Sequence, residues 1–164
     1  MNIILDGMGG DNAPLEIVKG AVEASELIKE KITIVGDEKL ILAELSKYNY
    51  DETKISVAHA EDVIENTDSP VKAIRTKKNS SMVVGMEMLR NGEGDLFISA
   101  GNSGALLAGS LFLIGRVQGI DRPALAMIYP IMGAQPSLLL DAGANAECKP
   151  ENLLEFATMG SIYL

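Results

Sequence analysis

Apolar and polar positions along this chain repeat with two different periods, and the changes between them mark its elements. Residues 2–5 form a short apolar run, as a strand buried on both faces requires. Leu15, Val18, Val22 and Ile28, with Ala21 and Ala24, then recur at helical spacing. They predict an amphipathic helix with Asn12 as its cap and Pro14 near its first turn. Residues 31–35 predict a second strand. Gly36-Asp37 turns into a helix ending near Tyr48, and residues 55–58 predict a third strand. The polar stretch 61–69 closes at Pro70, and shorter helices follow over 70–76 and 80–89. Asn91-Gly-Glu-Gly94 is a turn. Residues 96–115 repeat the order of strand, glycine turn and apolar helix. Residues 124–129 and 137–140 predict two further strands, open to pairing with each other. Pro150 starts a last helical segment through Leu153, Leu154, Phe156 and Ala157.

Alternating strands and helices indicate an α/β fold with a mainly parallel sheet. In such sheets ligands bind beyond the carboxyl ends of the strands. Asp6-Gly-Met-Gly-Gly-Asp11, Ser99-Ala-Gly-Asn-Ser-Gly-Ala105 and Asp141-Ala-Gly-Ala-Asn145 all fall at such ends. In the second of these, Gly101 and Gly104 let backbone approach a ligand closely. The helix that follows points unpaired N–H groups and the positive end of its dipole the same way, which favours an anion such as phosphate. The chain stops inside apolar helical sequence without a capping signal, an ending that reads as cut.

The 164 residues suffice for one domain with a sizeable core. A net charge of −9 argues against non-specific nucleic-acid binding, which needs a basic face. The single Cys148 forms no internal disulfide, which fits a reducing cytosol. The start of the chain, running straight into residues 3–5, carries no expectation of a signal peptide. The most apolar segment, 105–114, is too short to cross a bilayer, which takes roughly 20 residues, and reads as a buried core helix.

The first glycine turn lacks the G-x-G-x-x-G spacing of a dinucleotide fingerprint, and no Walker-type lysine follows either turn. Asp6 and Asp11 either shape and cap that turn or belong to a site. Lys72, Arg75, Lys77 and Lys78 lead into Ser80-Ser81, where a helix should begin. A guanidinium grips phosphate through two parallel bonds, and lysine acts as a point charge, so this cluster is either an anion seat or a solvated helix face. His59 is the only histidine and reads as structural. Lys149 beside Cys148 favours a lowered thiol pKa, although the thiol reads as a bystander. The methionines read as core filler. Metal-ligand spacing is absent, and no metal or cofactor is expected.

Asp6-Gly-Met-Gly-Gly-Asp-Asn-Ala-Pro14, Arg75-Thr-Lys-Lys-Asn-Ser-Ser-Met82, Ser99 to Ala105, Asp121-Arg-Pro123 and Asp141 to Asn145 occur in series. In that order they resemble the amino-terminal half of the bacterial phosphate acyltransferases of phospholipid synthesis. Gly7 stands where that family usually has alanine, and Ser103 where it has threonine. The resemblance implies a three-layer α/β/α fold like that of isocitrate dehydrogenases and phosphotransacetylases. It implies transfer of a fatty acyl group from acyl carrier protein to inorganic phosphate, giving acyl phosphate for a downstream glycerol-3-phosphate acyltransferase. It also implies a cytoplasmic homodimer with peripheral membrane contact. The family is longer by about one domain, so the chain is expected to be its amino-terminal portion. The candidate catalytic groups are Lys78, Arg75 and Asn102. Asp6, Gly9, Gly10, Asp11, Ser80, Ser81, Gly101, Ser103, Gly104 and Asn145 are the candidate substrate-binding residues. Within that set the 101–104 turn and Ser80/Ser81 are assigned to phosphate, and Gly9, Gly10 and Asp11 to the pantetheine–acyl end. An acyl-CoA-dependent phosphotransacetylase and a non-catalytic scaffold at the membrane are the alternatives.

Overall fold

Strand β1 (Asn2–Asp6) is the hub of a parallel sheet because both of its faces are apolar or become buried. The computed structural model describes all residues except 134, 144, 146 and 164. These fall into two units, residues 1–114 and 115–164. In the first unit β1 pairs with β2 (Lys31–Gly36) on one side and β4 (Leu96–Ile98) on the other. β3 (Ile55–His59) extends the sheet beyond β2, giving the order β3-β2-β1-β4. The register sets Ile3 beside Ile32 and Leu96, and Ile32 beside Ile55. Alternate residues therefore serve opposite faces.

On one face, Ile32, Ile34 and Ile55 pack with Val18, Ala21 and Val22 of α1 (Leu15–Leu27) and Ile41 and Leu45 of α2 (Glu38–Leu45). On the other, Ile4 and Val35 pack with Val84, Met88 and Leu89 of α4 (Ser81–Arg90). A Cβ at Gly85 would lie 2.4 Å from the Phe97 ring, so the missing side chain is what lets α4 rest on β4. α3 (Pro70–Thr76) and α5 (Ser103–Gly109) complete this layer around Ile74, Met82, Met86 and Ala105. Helices on both faces of a mainly parallel sheet make the expected three-layer α/β/α arrangement.

Four local readings change. Asn12 does not cap α1 with its side chain. The helix starts three residues later, behind Pro14, and only the Asn12 carbonyl takes part, accepting from Glu16 N at 3.2 Å. Leu15 leaves the apolar stripe and is 45% exposed, because it opens the first turn beyond the sheet. α2 ends at Leu45, and i→i−3 bonds from Lys47 and Tyr48 carry the chain to Tyr48 as tight turns. The apolar run after α5 widens into a π-helical turn, Ser110–Ile114, with no buried residue. That segment is therefore only half a core helix.

In the second unit, β5 (Ala126–Tyr129) and β6 (Ser137–Leu140) pair antiparallel, as their patterns allowed. α6 (Pro150–Tyr163) carries buried Phe156 and meets Leu140 through Gly160, where a Cβ would lie 2.6 Å from the leucine. Among the described residues no helix is long and apolar enough to cross a membrane. The last residue of the chain and Ala144 of the third glycine motif lie outside the described residues.

Candidate functional site

Because β1 and β4 are parallel neighbours, their carboxyl ends deliver the two glycine turns side by side. Asp6, the last residue of β1, is 1% exposed. Its Oδ1 accepts from Met8 N at 3.2 Å, which folds the first turn, and its Oδ2 accepts from Ser99 Oγ at 2.7 Å. Ser99 Oγ in turn accepts from Gly101 N at 3.1 Å. The turns touch backbone to backbone. A Cβ at Gly9 would lie 2.5 Å from Asp6 Oδ2 and 3.0 Å from Gly101 N. Gly10 has φ of +105° and lies against Ala100, so it needs both the left-handed conformation and the space. Gly104 instead lets α5 close onto Pro70 of α3.

The polar stretch 61–69 forms the facing wall. Asn102 caps α5, its Oδ1 accepting from Ala105 N at 2.9 Å. Its Nδ2 donates to the carbonyls of Glu65, Asn66 and Asp68 at 3.1, 3.4 and 3.2 Å. Lys77 Nζ holds the same stretch, donating to Val63 O at 2.8 Å and pairing with Asp68 at 2.6 Å. That bond, with one from Glu65 N, holds the Asp68 carboxyl below its usual value. Asn66 Nδ2 reaches across to Asp11 Oδ1 at 3.0 Å. Met8, Gly10 and Asp11 on one side and residues 64–67 on the other enclose a cleft of about 300 Å³.

The remaining candidates divide. Ser103 is exposed, and among the described residues no acceptor meets the N–H groups of Ser103 and Gly104, which stay open to a ligand. Ser80 and Ser81 are 0% and 1% exposed. The Ser80 hydroxyl caps α4 by accepting from Val83 N, and Ser81 N donates to Asp62 O. Both therefore fix the start of α4 from inside. Arg75 lies over the Phe112 ring, 5.4 Å from its centroid. That ring belongs to the π-helical turn after α5, nine residues past Ser103. Lys78 is exposed, in the connection between α3 and α4. His59 Nδ1 accepts from Glu38 N at 3.4 Å, a structural contact at the start of α2.

Asn145 belongs to the second unit. Its side chain donates to Pro123 O at 3.2 Å and Asp141 Oδ1 at 2.8 Å, closing the loop after β6. Cys148 departs from expectation. Desolvation, with a bond to the Asp141 carboxylate and its charge, raises the thiol pKa, outweighing the charge of Arg122. Sequence reasoning passed over Ser99, Asn66 and Asp68 as site builders, and took Lys77 only as one cation of the basic cluster. Ser99 was visible as the first residue of its glycine motif. Asn66 and Asp68 gave no local signal, because the side chains they meet, Asp11 and Lys77, lie outside the 61–69 stretch. Among the described residues no cluster of His, Cys, Asp and Glu is arranged to hold a metal.

The family described as "Fatty acid synthesis protein" matches residues 1–164. A phosphate acyltransferase of Clostridioides difficile is 52% identical over 163 residues, 99% of this chain and 48% of the relative. One of Alkaliphilus oremlandii is 55% identical, with 99% and 48% covered. The chain thus spans about half the length of the curated relatives it matches. In fold it is similar to a phosphotransacetylase from Streptococcus pyogenes, with a TM-score of 0.68 and 14% identity over 96% of this chain and 51% of that one. It is likewise similar to the EutD phosphotransacetylase from Staphylococcus aureus, with a TM-score of 0.65 and 21% identity over 96% and 50%.

Proposed function

The chain belongs to the family described as Fatty acid synthesis protein, and we propose that it is the amino-terminal portion of an enzyme that transfers a fatty acyl group from acyl carrier protein to inorganic phosphate. The observation that carries this reading is the pairing of the two glycine turns around Asp6 and Ser99, in a chain about half identical to phosphate acyltransferases. A phosphate oxygen attacks the thioester carbonyl, forming the C–O bond of an acyl phosphate. The C–S bond breaks, and the thiolate leaves and takes a proton from water. With thiol pKa values of about 8.5 the leaving group needs no strong acid, so the task of the site is to hold anions.

The open N–H groups and hydroxyl at the start of α5 suit that task, with Lys78 as a mobile counter-charge. Arg75 serves at longer range. Asn102, Ser80 and Ser81 hold the frame. The cleft between Gly10, Asp11 and residues 64–67 suits the polar pantetheine arm. The product would feed a glycerol-3-phosphate acyltransferase. In this reading the complete protein is a cytoplasmic homodimer that touches the membrane peripherally.

One alternative is a phosphotransacetylase-like enzyme with an acyl-CoA donor. The full-length form assayed with phosphate and either acyl carrier protein or CoA thioesters separates the two. Acyl phosphate formed preferentially from the carrier protein supports the proposal. Preference for CoA gives the alternative, and no phosphate-dependent transfer from either donor overturns both.

A further inference from the structure

We propose that the buried Asp6 carboxylate, acting through the Ser99 hydroxyl, is the positioning group that sets the approach to α5 and with it the open N–H donors of Ser103 and Gly104. This rests on the acyltransferase reading for its kinetic consequence, while its structural part stands alone. A carboxylate that is 1% exposed is costly to bury, and among the described residues no cation pairs with Asp6. What it has instead is two donors, Met8 N and Ser99 Oγ, one from its own turn and one from the neighbouring turn.

The chemistry of a carboxylate gives this chain of bonds a direction. An ionised carboxylate only accepts, so the Ser99 hydroxyl must give it its one proton. The hydroxyl then presents lone pairs, and one accepts from Gly101 N at 3.1 Å. Gly101 stands just ahead of Asn102, the cap of α5. An amide at position 6 can turn its NH2 toward Ser99 and remove that direction. The surrounding glycines remove slack: a Cβ at Gly9 would lie 2.5 Å from Asp6 Oδ2, and one at Gly101 would lie 3.2 Å from Gly9 Cα. Asp6, Gly9, Ser99 and Gly101 therefore move as one piece. Asp6 is too deeply buried to meet a substrate, so its effect passes through Ser99.

The test compares Asp6→Asn, Ser99→Ala, Ser99→Thr and the Asp6→Asn/Ser99→Ala double variant. Amide exchange at Gly101 and Ser103 is read by NMR in this chain, and phosphate KM and kcat in the full-length form. Both single variants should speed Gly101 exchange, and each should raise phosphate KM roughly 2- to 30-fold, the size of an effect passed through the turn and not lost from phosphate itself, with kcat changing less. The double variant should be no worse than the worse single one, and Ser99→Thr, which keeps the hydroxyl, should stay near the parent. Unchanged Gly101 exchange, or fully additive effects, overturns the proposal. If Asp6→Asn fails to fold, Ser99→Ala against Ser99→Thr decides alone. Absence of acyl transfer in the parent would sink the reading of function and leave the exchange experiment valid.

Discussion

Asn102 uses every polar atom of its side chain, capping α5 with one end and gathering three carbonyls of the opposite wall with the other. Asn102→Ala should lose the cap, about 0.5–2 kcal/mol, and also release residues 65–68. Asn102→Asp should retain the cap and still release the wall, since a carboxylate has no proton for those carbonyls. Chemical denaturation, with amide exchange across residues 63–69, separates the two effects. The Lys77–Asp68 pair adds a dependence on pH. Its bond to Lys77 lowers the Asp68 pKa in the folded state, so the pair stabilises fully above the ordinary value of 3.8. That stabilisation fades as pH falls through the lowered folded value. Protection of the amides of residues 63–69, relative to their intrinsic exchange, should fall on acidification in the parent, and Lys77→Met should weaken that dependence, leaving the part due to the Glu65 N–H. Among the exposed cations, Lys78→Ala should weaken phosphate use roughly 10- to 150-fold in kcat/KM. Arg75→Ala should cost less, because its partner is Phe112. Equal losses, or a larger one for Arg75→Ala, in steady-state assays of the full-length form would overturn that order.

Two glycines test which features of the elements are constrained. At Gly9 a methyl group would strike Asp6 and the Gly101 amide, so Gly9→Ala should destabilise by about 1–3 kcal/mol. At Gly20, within α1, nothing lies within 4 Å of the added carbon, so Gly20→Ala should stabilise by about 0.4–1 kcal/mol. Thermal or urea melts of this chain check both. The same contrast explains what could be read from the sequence. β1 and β2 announce themselves because strands buried on both faces are apolar runs, and Ser80 marks the start of α4 because capping is local. The glycine turns were legible as sites of close approach. That Gly9 and Gly101 approach each other, and Gly104 approaches Pro70, depends on sheet order and could not be read locally. Within the basic cluster, too, the observed partners come from outside the cluster. Lys77 bonds Asp68, nine residues back, and Arg75 lies over Phe112, 37 residues on.

At the scale of the whole molecule, apolar side chains remain uncovered. Leu154 and Ile162 of α6 are 70% and 80% exposed, and in the first unit Leu96 and Ile98 of the outer strand are 43% and 45% exposed. Together with a length about half that of the curated relatives, this leads to a concrete expectation for the 164-residue chain. Alone it should bind a hydrophobic dye, self-associate with rising concentration, and lack phosphate-dependent acyl transfer. Dye fluorescence, sedimentation and the donor assay are the measurements. A monomeric, dye-silent chain would show that these surfaces need no cover, and an active one would place the whole reaction within these residues.

The bonds that join the two glycine turns also carry a kinetic consequence. Asp6 and Ser99 are 93 residues apart, as are Asn2 and Asp95 at the other end of the same strand pair. β1 and β2, by contrast, are linked through α1 alone. Closing the longer loop loses more chain entropy before any contact compensates it, so β4 should dock after the β1–α1–β2 layer has formed. Ser99→Ala should then speed unfolding and leave folding nearly unchanged, whereas Val22→Ala, in the early layer, should slow folding. Stopped-flow measurements over a range of urea concentrations read both limbs directly. If Ser99→Ala slows folding as much as Val22→Ala, the turns meet early. If the expected order holds, the candidate site is the last part of the first unit to assemble and the first to come apart.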